Sequence, residues 1–357
     1  MMVQNNFHEL QKQKNALQLR MLLDSLPPFA FEFFRGIEPT TSPKTRIGYA
    51  YDLRIFFEYI IDIHPSFKMK TIKDLKIQDL DLITPDHIEM FLEYLNFYKK
   101  PHPEDPTKYI EYQNDERGKA RKLASLRTLF QYFYKKRKIK TNPPSLVDMP
   151  KIKEKNIIRL EVDEVARLLD EVESGESLTE TQKKYHEHTK KRDLAIVSLL
   201  LGTGIRVSEC AGLNIDDIDF NVNGLKIVRK GGDEVIIYFG EEVELALQDY
   251  LKERMNQKTI TGHEQALFLS LQNRRLSVRA IQNLVKKYAQ RVTTLKNISP
   301  HKLRSTYGTN LYRETGDIYL VADVLGHKDV NTTRKHYAQI EDERRRQAAR
   351  IIKLRKS

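Results

Sequence analysis

The sequence predicts a mainly α-helical protein built from two folding units, the second of which contains a small antiparallel β-sheet. Three observations support this fold class. Apolar residues recur at helical spacing through most of the chain, a segment with three prolines at 143–156 interrupts that periodicity, and two β-branched runs flank Gly231-Gly232. A chain of 357 residues also exceeds the usual size of one domain, so each unit is long enough to bury its own core.

The first unit is predicted to consist of an N-terminal helical extension at 1–40 and an all-helical region at 41–145. The extension contains a helix over about 7–26, which ends at Pro27-Pro28. Within residues 41–145, three helices have start signals or an apolar face typical of amphipathic helices. The residues that support them are Ser42, Pro43, Tyr49, Leu53, Phe56, Phe57 and Ile60, then Thr84, Pro85, Ile88, Phe91, Leu92 and Leu95, and finally Leu123, Leu126, Phe130 and Phe133.

A linker at 146–156 is predicted to lead into the second unit at 157–340, and a basic helix or tail follows at 341–357. In the segment LKIVRKGGDEVIIYF the two apolar runs indicate a β-hairpin, which puts Lys230 at or beside its turn. Helices are predicted near 161–172, 191–202, 207–212, 241–255, 277–291, 302–314, 317–325 and 330–338.

The composition favours a polyanionic partner and argues against several other classes. The chain has 61 Lys+Arg against 49 Asp+Glu, which gives a formal net charge of +12. The single cysteine, Cys210, excludes an intrachain disulfide framework and is expected to be a small buried residue. No run of about 18 apolar residues occurs and the N-terminus does not resemble a secretory signal, so we expect a cytoplasmic protein without a membrane span.

Four segments carry polar residues that folding alone does not explain. They are LLGTGIRVSECAGL, VRKGGDE, SPHKLRSTYGT and LGHKDVNTTRKHYAQ. His301 and Arg304 are three residues apart and therefore share one side of a helix start. Arg206 follows a glycine pair among apolar residues, where an unpaired guanidinium would be costly, so it needs an anion. Each feature alone is more often a structural ion pair than a catalytic group, and only their combination indicates an active site.

In chain order these residues read Arg, Lys, His-x-x-Arg, His, Tyr, which resembles the motif of the tyrosine recombinase (integrase) superfamily and most closely the Xer recombinases. The positions that match are Arg206, Lys230, His301, Arg304, His327 and Tyr337. The resemblance implies a DNA-binding core-binding domain at 41–145, a catalytic domain at 157–340 and an acidic residue, Glu209, that supports the site. The long N-terminal extension suggests a single-recombinase, XerH-like member.

The resemblance also implies a function and partners. Such an enzyme assembles as a homotetramer on two double-stranded DNA sites, exchanges its C-terminal helix between protomers, and recombines strands through a 3′-phosphotyrosine and a Holliday junction. The expected task is chromosome dimer resolution at a dif-like site, in the cytoplasm and associated with the nucleoid. An equally weighted interpretation of the basic C-terminal segment is a helix that stays within its own protomer.

The chemistry of the six residues agrees with this mechanism on physical grounds. Attack on a phosphodiester builds extra negative charge, which Arg206, Arg304 and His327 are suited to stabilise. Lys230 is suited to protonate the leaving oxygen and His301 to accept the phenolic proton. No cofactor is expected, since the sequence has neither a phosphate-binding GxxxxGK[ST] loop nor a two-metal carboxylate cluster. A zinc site made of His301, His327 and His336 is disfavoured by the nearby arginines.

Several alternatives remain open at this stage. Tyr307, Tyr312 and Tyr319 are weaker candidates for the nucleophile. The basic residues predicted to contact DNA equally suit a solvated helix face, and they are Lys44, Arg46, Arg117, Lys119, Arg121, Lys122 and Arg127. A type IB topoisomerase shares the covalent chemistry but relaxes DNA without choosing a site. A non-catalytic architectural DNA-binding protein would need only the basic charge.

Overall fold

A computed structural model of the chain describes residues 7–105, 107–153, 158–229, 232–327 and 330. The chain divides into two compact units, Met1–Glu154 and Lys155–Ser357. Both are mainly helical with a small antiparallel sheet, so the predicted fold class is confirmed. Among the described residues, no helix is both long and apolar enough to cross a membrane.

The described part of the first unit contains five α-helices and two short strands. Its core is aromatic, with Phe33, Phe56, Phe91, Phe130 and Phe133 completely buried. The elements are α1 (Phe7–Leu23), α2 (Ala30–Gly36), α3 (Pro43–Ile63), α4 (Pro85–Tyr94), β1 (Tyr98–Pro101), β2 (Tyr109–Tyr112) and α5 (Glu116–Lys135). Short 3₁₀ helices lie at Glu38–Thr40, Pro65–Phe67, Ile72–Asp74, Ile77–Leu82 and Pro143–Ser145.

The predicted helix starts of this unit are confirmed. The Ser42 side chain accepts a hydrogen bond from the backbone N–H of Thr45 at 3.2 Å, and Pro43 follows as the first helical residue. Thr84 accepts from the N–H of His87 in the same way at 3.4 Å. Each bond satisfies one of the N–H groups that lack a partner in the first turn of a helix.

The prediction that residues 41–145 are all-helical is wrong at one place, because β1 and β2 form an antiparallel pair there. Tyr98 lies opposite Tyr112, and their rings stack with centroids 5.1 Å apart. The Tyr98 ring also stacks on Tyr94 of α4 at 4.9 Å. Aromatic residues favour strands when they pack on a neighbouring surface, and here α4 supplies that surface.

The predicted linker begins inside the first unit. Val147 is buried in the aromatic core, and Arg127 of α5 donates to the carbonyl oxygens of Pro144 and Val147. The proline-rich segment is therefore tied to α5 over its first residues. The prediction of a linker over all of 146–156 is corrected on this point.

The described part of the second unit surrounds one central helix, α8, whose residues 195–200 are almost completely buried. Four helices of this unit, α6, α10, α11 and α12, pack against it. The elements are α6 (Val162–Ser174), α7 (Glu180–His186), α8 (Lys190–Thr203), α9 (Val207–Gly212), β3 (Ile218–Asp219), β4 (Gly224–Val228), β5 (Glu234–Tyr238), α10 (Glu241–Arg254), α11 (Val278–Val292), α12 (Pro300–Thr315) and α13 (Ile318–Leu325), with a 3₁₀ turn at Ile215–Asp217.

The three strands form an antiparallel sheet in the order β3-β4-β5. The predicted hairpin is confirmed, since β4 pairs with β5 and the chain reverses between Val228 and Glu234. The helix predicted near 330–338 lies outside the described residues except for Val330. Of the residues singled out in the sequence, Arg206 follows α8, His301 and Arg304 lie at the start of α12, and His327 follows α13.

Candidate active site

Arg206 stands where α8 gives way to α9, and its surroundings fix the direction of its side chain. α8 ends at Thr203 and is capped by Gly204, whose φ of +63° lies in the left-handed region. The backbone N–H and Nη1 of Arg206 donate to the two carboxylate oxygens of Glu209, at 2.6 and 2.8 Å. The Glu209 side chain is 4% exposed and that of Arg206 is 33% exposed. The carboxylate is therefore buried, while the guanidinium remains accessible to a ligand.

The other end of α9 is held by Arg275, which belongs to none of the four motif segments. Its Nη1 donates to the carbonyl oxygens of Ala211 and Leu213 at 3.3 and 2.6 Å, and its Nη2 donates to the Asn214 side chain. Burial lowers the pKa of Arg275 to about 10, so the side chain is still charged at neutral pH. Because the last carbonyls of a helix lack partners within it, these bonds stabilise α9, the short helix that begins directly after Arg206.

α12 carries the His-x-x-Arg pair at its start. His301 lies in the first turn and is exposed, whereas Arg304, one turn later, is buried at 6% exposure. Arg304 Nη1 donates to the carbonyl oxygen of Gly204 at 2.7 Å, and its Nη2 donates to that of Leu325. Backbone carbonyls carry no net charge, so these two bonds orient the guanidinium without neutralising it.

His327 is placed by the way in which α13 ends. Gly326 adopts a left-handed conformation, with φ of +62°, and its N–H donates to the Asp323 carbonyl oxygen at 2.8 Å. The N–H of His327 donates to the carbonyl oxygen of Ala322 at 2.8 Å. Together these two bonds form the Schellman arrangement that ends many helices. The backbone of His327 is thereby fixed at the helix end.

Arginines from three other segments meet at the α13 C-terminal turn, residues 323–326. The end of a helix carries partial negative charge and carbonyl groups without helical partners, both of which attract cations. The bonds join Arg206 Nη2 to Gly326 O at 3.2 Å, Arg304 Nη2 to Leu325 O, and Arg229 Nη2 to Val324 O at 2.8 Å. Two of the predicted catalytic arginines thus bind the two residues that precede His327, and His301 is one helical turn from Arg304.

The structure does not describe every predicted residue of the site. Lys230 and Tyr337 lie outside the described residues, as does His336. Arg229, directly before Lys230, was missed in the sequence because its acceptors are backbone carbonyls distant in the chain. A second basic residue beside the hairpin glycines was the one available signal.

The three alternative tyrosines have different environments. A Cβ built on Gly204 would lie 2.4 Å from Cδ1 of Tyr307, so this ring is packed against the end of α8, and burial raises the pKa of its hydroxyl. Tyr312 is buried in a small cluster with Val321, while Tyr319 is exposed on α13. A raised pKa opposes formation of the phenolate, which argues against Tyr307 as a nucleophile.

The basic residues of the first unit differ in how far their charges are available to a ligand. Lys44 and Arg117 are exposed. Two others have surface partners, since Arg46 pairs with Glu38 at 3.3 Å and Lys119 pairs with Glu116 at 2.6 Å. The side chains of Arg46 and Lys119 are themselves only 12% exposed, so their charges are less available to a ligand than those of Lys44 and Arg117.

Lys122 belongs to the interior of the first unit. Its side chain is buried at 4% exposure, and Nζ donates to Asn114 at 2.7 Å and lies 3.9 Å from buried Asp52. Burial raises the pKa of Asp52 to about 6, against the opposing effect of the positive charges of Arg121 and Lys122. Arg121 is more exposed but also donates to Asp52. We therefore withdraw Lys122 from the set of DNA contacts, and with it Arg127, whose guanidinium binds backbone carbonyls.

The described residues offer no recognisable metal-binding group. Nowhere among them do three side chains of His, Cys, Asp or Glu come together in a way that would hold an ion. Cys210 is completely buried, and desolvation raises the pKa of its thiol, which agrees with the interpretation of this residue as a small core side chain. The side chains that meet at the α13 C-terminal turn are arginines, whose positive charge suits an anion and not a metal cation.

Comparison with known proteins places this site in context. The model of the phage integrase family matches residues 159–344. The tyrosine recombinase XerC of Caldanaerobacter subterraneus subsp. tengcongensis is 33% identical over 333 residues, which cover 90% of this chain and 86% of the relative. That of Thermodesulfovibrio yellowstonii is 32% identical and covers 70% and 85%.

Solved structures show the same fold. The XerH site-specific recombinase bound to palindromic difH substrate, in a post-cleavage complex, superimposes with a TM-score of 0.62 at 17% identity and covers 94% of each chain. A lambda integrase dimer bound to a COC′ core site gives a TM-score of 0.60 at 17% identity, covering 89% of this chain and 94% of that one.

Proposed function

Because the chain belongs to the phage integrase family and is a Xer-type tyrosine recombinase, an enzyme that breaks and rejoins DNA in site-specific recombination, we propose that Tyr337 is its nucleophile. Tyr337 is the tyrosine that completes the family's order of residues. The burial of Tyr312 and the partial burial of Tyr307, which raises the pKa of its hydroxyl, support this choice over those two candidates. DNA is the partner, and no nucleotide or metal is needed to drive the exchange, since the bond energy is kept in the phosphotyrosine.

Arg206, Arg304 and His327 are the groups proposed to bind the scissile phosphate. The observation that carries the proposal is their convergence at the α13 C-terminal turn, where the carbonyls orient both guanidiniums. Attack on phosphorus adds negative charge to the non-bridging oxygens in the transition state. Donors that are already oriented stabilise this charge without reorganisation at the moment of reaction.

Two proton transfers complete the reaction. The tyrosine oxygen forms a bond to phosphorus as its proton passes to His301, and the bond from phosphorus to the 5′ oxygen breaks as Lys230 donates a proton to that oxygen. The products are a 3′-phosphotyrosine and a free 5′ hydroxyl. The phenol has an ordinary pKa of about 10, and an alkoxide is a far poorer leaving group than an alcohol, so both transfers accelerate the reaction at neutral pH.

The assembly proposed for the enzyme is a homotetramer on two DNA sites that passes through a Holliday junction, with chromosome dimer resolution at a dif-like site as its task. Lys44 and Arg117 are the proposed phosphate contacts of the first unit, with Arg46, Lys119 and Arg121 as secondary ones. Residues 341–357 are proposed to dock on the neighbouring protomer. Their deletion should leave binding to a single site intact and weaken pairing of two sites, and unchanged recombination would refute that role.

The proposed nucleophile can be tested on genomic DNA, which contains the target site whatever its sequence. Wild-type protein and Tyr337→Phe are incubated with fragmented genomic DNA of the encoding organism, covalent complexes are trapped with denaturant, and the attached DNA is sequenced. We expect adducts at one sharp site with the wild-type protein and none with the variant. Dispersed adducts would indicate a topoisomerase, adducts with Tyr337→Phe would mean another nucleophile, and binding without any adduct would indicate an architectural protein.

A further inference from the structure

Arg229 closes the β4–β5 hairpin through its backbone. Its N–H donates to the carbonyl oxygen of Asp233 at 2.8 Å, and its own carbonyl accepts from the N–H of Gly232 at 3.0 Å. It is thus the residue at which the strand ends and the turn begins. Lys230, the proposed general acid, is the next residue in the chain.

The side chain of Arg229 leaves the hairpin and binds α13. Nη1 and Nη2 both donate to the carbonyl oxygen of Asp323 at 3.2 Å, and Nη2 also donates to that of Val324 at 2.8 Å. The guanidinium lies against Gly326, because a Cβ built there would come within 2.4 Å of Nη1. This approach is possible only because residue 326 has no side chain.

These contacts join two segments that the proposed reaction must bring together. The hairpin strand leads through Arg229 into the sequence position of Lys230, and the α13 C-terminal turn leads into His327. A planar guanidinium that makes three bonds to consecutive carbonyls fixes direction as well as distance, which a lysine ammonium does not do. The helix end adds electrostatic attraction for the cation.

We propose that Arg229 is a positioning residue: it holds the hairpin on the α13 C-terminal turn, so that Lys230 can protonate the leaving 5′ oxygen of a phosphate bound beside His327. The inference rests on the proposed function of Lys230. Arg229 itself does not contact DNA in this role. Its effect is on the proton transfer and not on the attack by the tyrosine.

A leaving group that needs no proton separates positioning of the acid from a general structural role. The site found by adduct sequencing is made twice, with the ordinary 5′ oxygen and with a bridging 5′ sulfur at the scissile position. A thiolate leaves without protonation at neutral pH, since thiols have an ordinary pKa near 8.5. Single-turnover cleavage of both substrates is measured for wild-type protein, Arg229→Ala, Arg229→Lys, Lys230→Ala and the control Lys226→Ala, which removes an exposed cation from the same hairpin.

We expect Arg229→Ala and Arg229→Lys to cleave the oxygen substrate roughly 10²-fold more slowly, within the usual range for general acid catalysis, and to cleave the sulfur substrate at nearly the wild-type rate. Lys230→Ala should show the same pattern, and Lys226→Ala should cleave both substrates normally. Suppose that the sulfur substrate restores cleavage by Lys230→Ala. If Arg229→Ala is then slowed equally on both substrates, or on neither, the role of Arg229 is overturned while that of Lys230 stands. Failure of that rescue overturns the role of Lys230 and the inference together.

Discussion

The buried carboxylate of Glu209 gives the most direct test of how the site is held. It accepts one bond from the Arg206 backbone and one from the Arg206 guanidinium, at 2.6 and 2.8 Å, and is itself almost inaccessible to water. Glu209→Gln preserves the shape of the side chain. The amide, however, offers one acceptor and one donor, so one of the two Arg206 donors will face an NH₂ group.

The magnitude follows from the bond that is lost. A hydrogen bond that involves a charged group contributes about 1.5–3 kcal/mol, and a buried donor without an acceptor costs about 1–3 kcal/mol. Because the remaining bond is kept, we expect a loss of about 2–3 kcal/mol in transition-state stabilisation. At 1.36 kcal/mol per factor of ten, the cleavage rate should fall roughly 30- to 150-fold.

The assay is single-turnover cleavage at saturating protein, with the free energy of unfolding measured in parallel. Glu164→Gln is the matched control, since Glu164 accepts the N–H of Glu161 at the start of α6 at 2.8 Å and pairs with Lys296. Both variants should lose stability, but only Glu209→Gln should cleave slowly at a temperature where both are folded. Equal cleavage rates for the two variants would refute the reasoning.

Three further predictions concern other parts of the chain. Gly204→Ala should lower the free energy of unfolding by more than the roughly 1–2 kcal/mol of left-handed strain, because its Cβ would also displace the Tyr307 ring. Gly262→Ala, at φ of +87° with open space around it, should show the strain alone, and equal losses in chemical denaturation would contradict the packing argument. For Asp52, a folded pKa of about 6 against an ordinary value near 3.8 means that its contribution to stability is fully present below about pH 4 and is lost as the pH rises through 6. The unfolding free energy of the wild type relative to Asp52→Asn should therefore fall between pH 4 and pH 7, and a flat difference would count against this assignment. Arg117→Ala should reduce the slope of log affinity against log salt by about 0.9 in DNA titrations, as expected for one lost phosphate contact, and an unchanged slope would place this residue away from DNA.

Local signals predicted most of the described helices and the hairpin of the second unit, but not α2 or α7. Ser42 and Thr84 mark helix starts because a cap acts within four residues of itself, and the glycines of the β4–β5 turn act over a similar range. The hairpin at Tyr98 and Tyr112 was missed because these two paired residues lie 14 positions apart, beyond the reach of a local turn signal.

In the candidate site, too, local motifs could be predicted from the sequence and contacts between distant residues could not. The order of Arg206, Arg304 and His327 could be read from the sequence, since each stands in a recognisable motif. The burial of Lys122 could not, because its partner Asp52 lies on another helix, 70 positions away. Arg229 was missed for a related reason. Its acceptors are backbone carbonyls, which every residue has, so no residue type in the sequence indicates them.

The α13 C-terminal turn has a consequence for how this enzyme can change. Its acceptors for three arginines belong to the main chain, so a side-chain substitution in the turn leaves these oxygens in place, except at Gly326, where a Cβ would collide with Arg229. Inserting or deleting one residue within α13 would instead rotate the end of the helix by about 100° relative to its start. The tolerance of this element should therefore depend on its length and register more than on its composition, and libraries that vary α13 at constant length are the ones suited to engineering this recombinase.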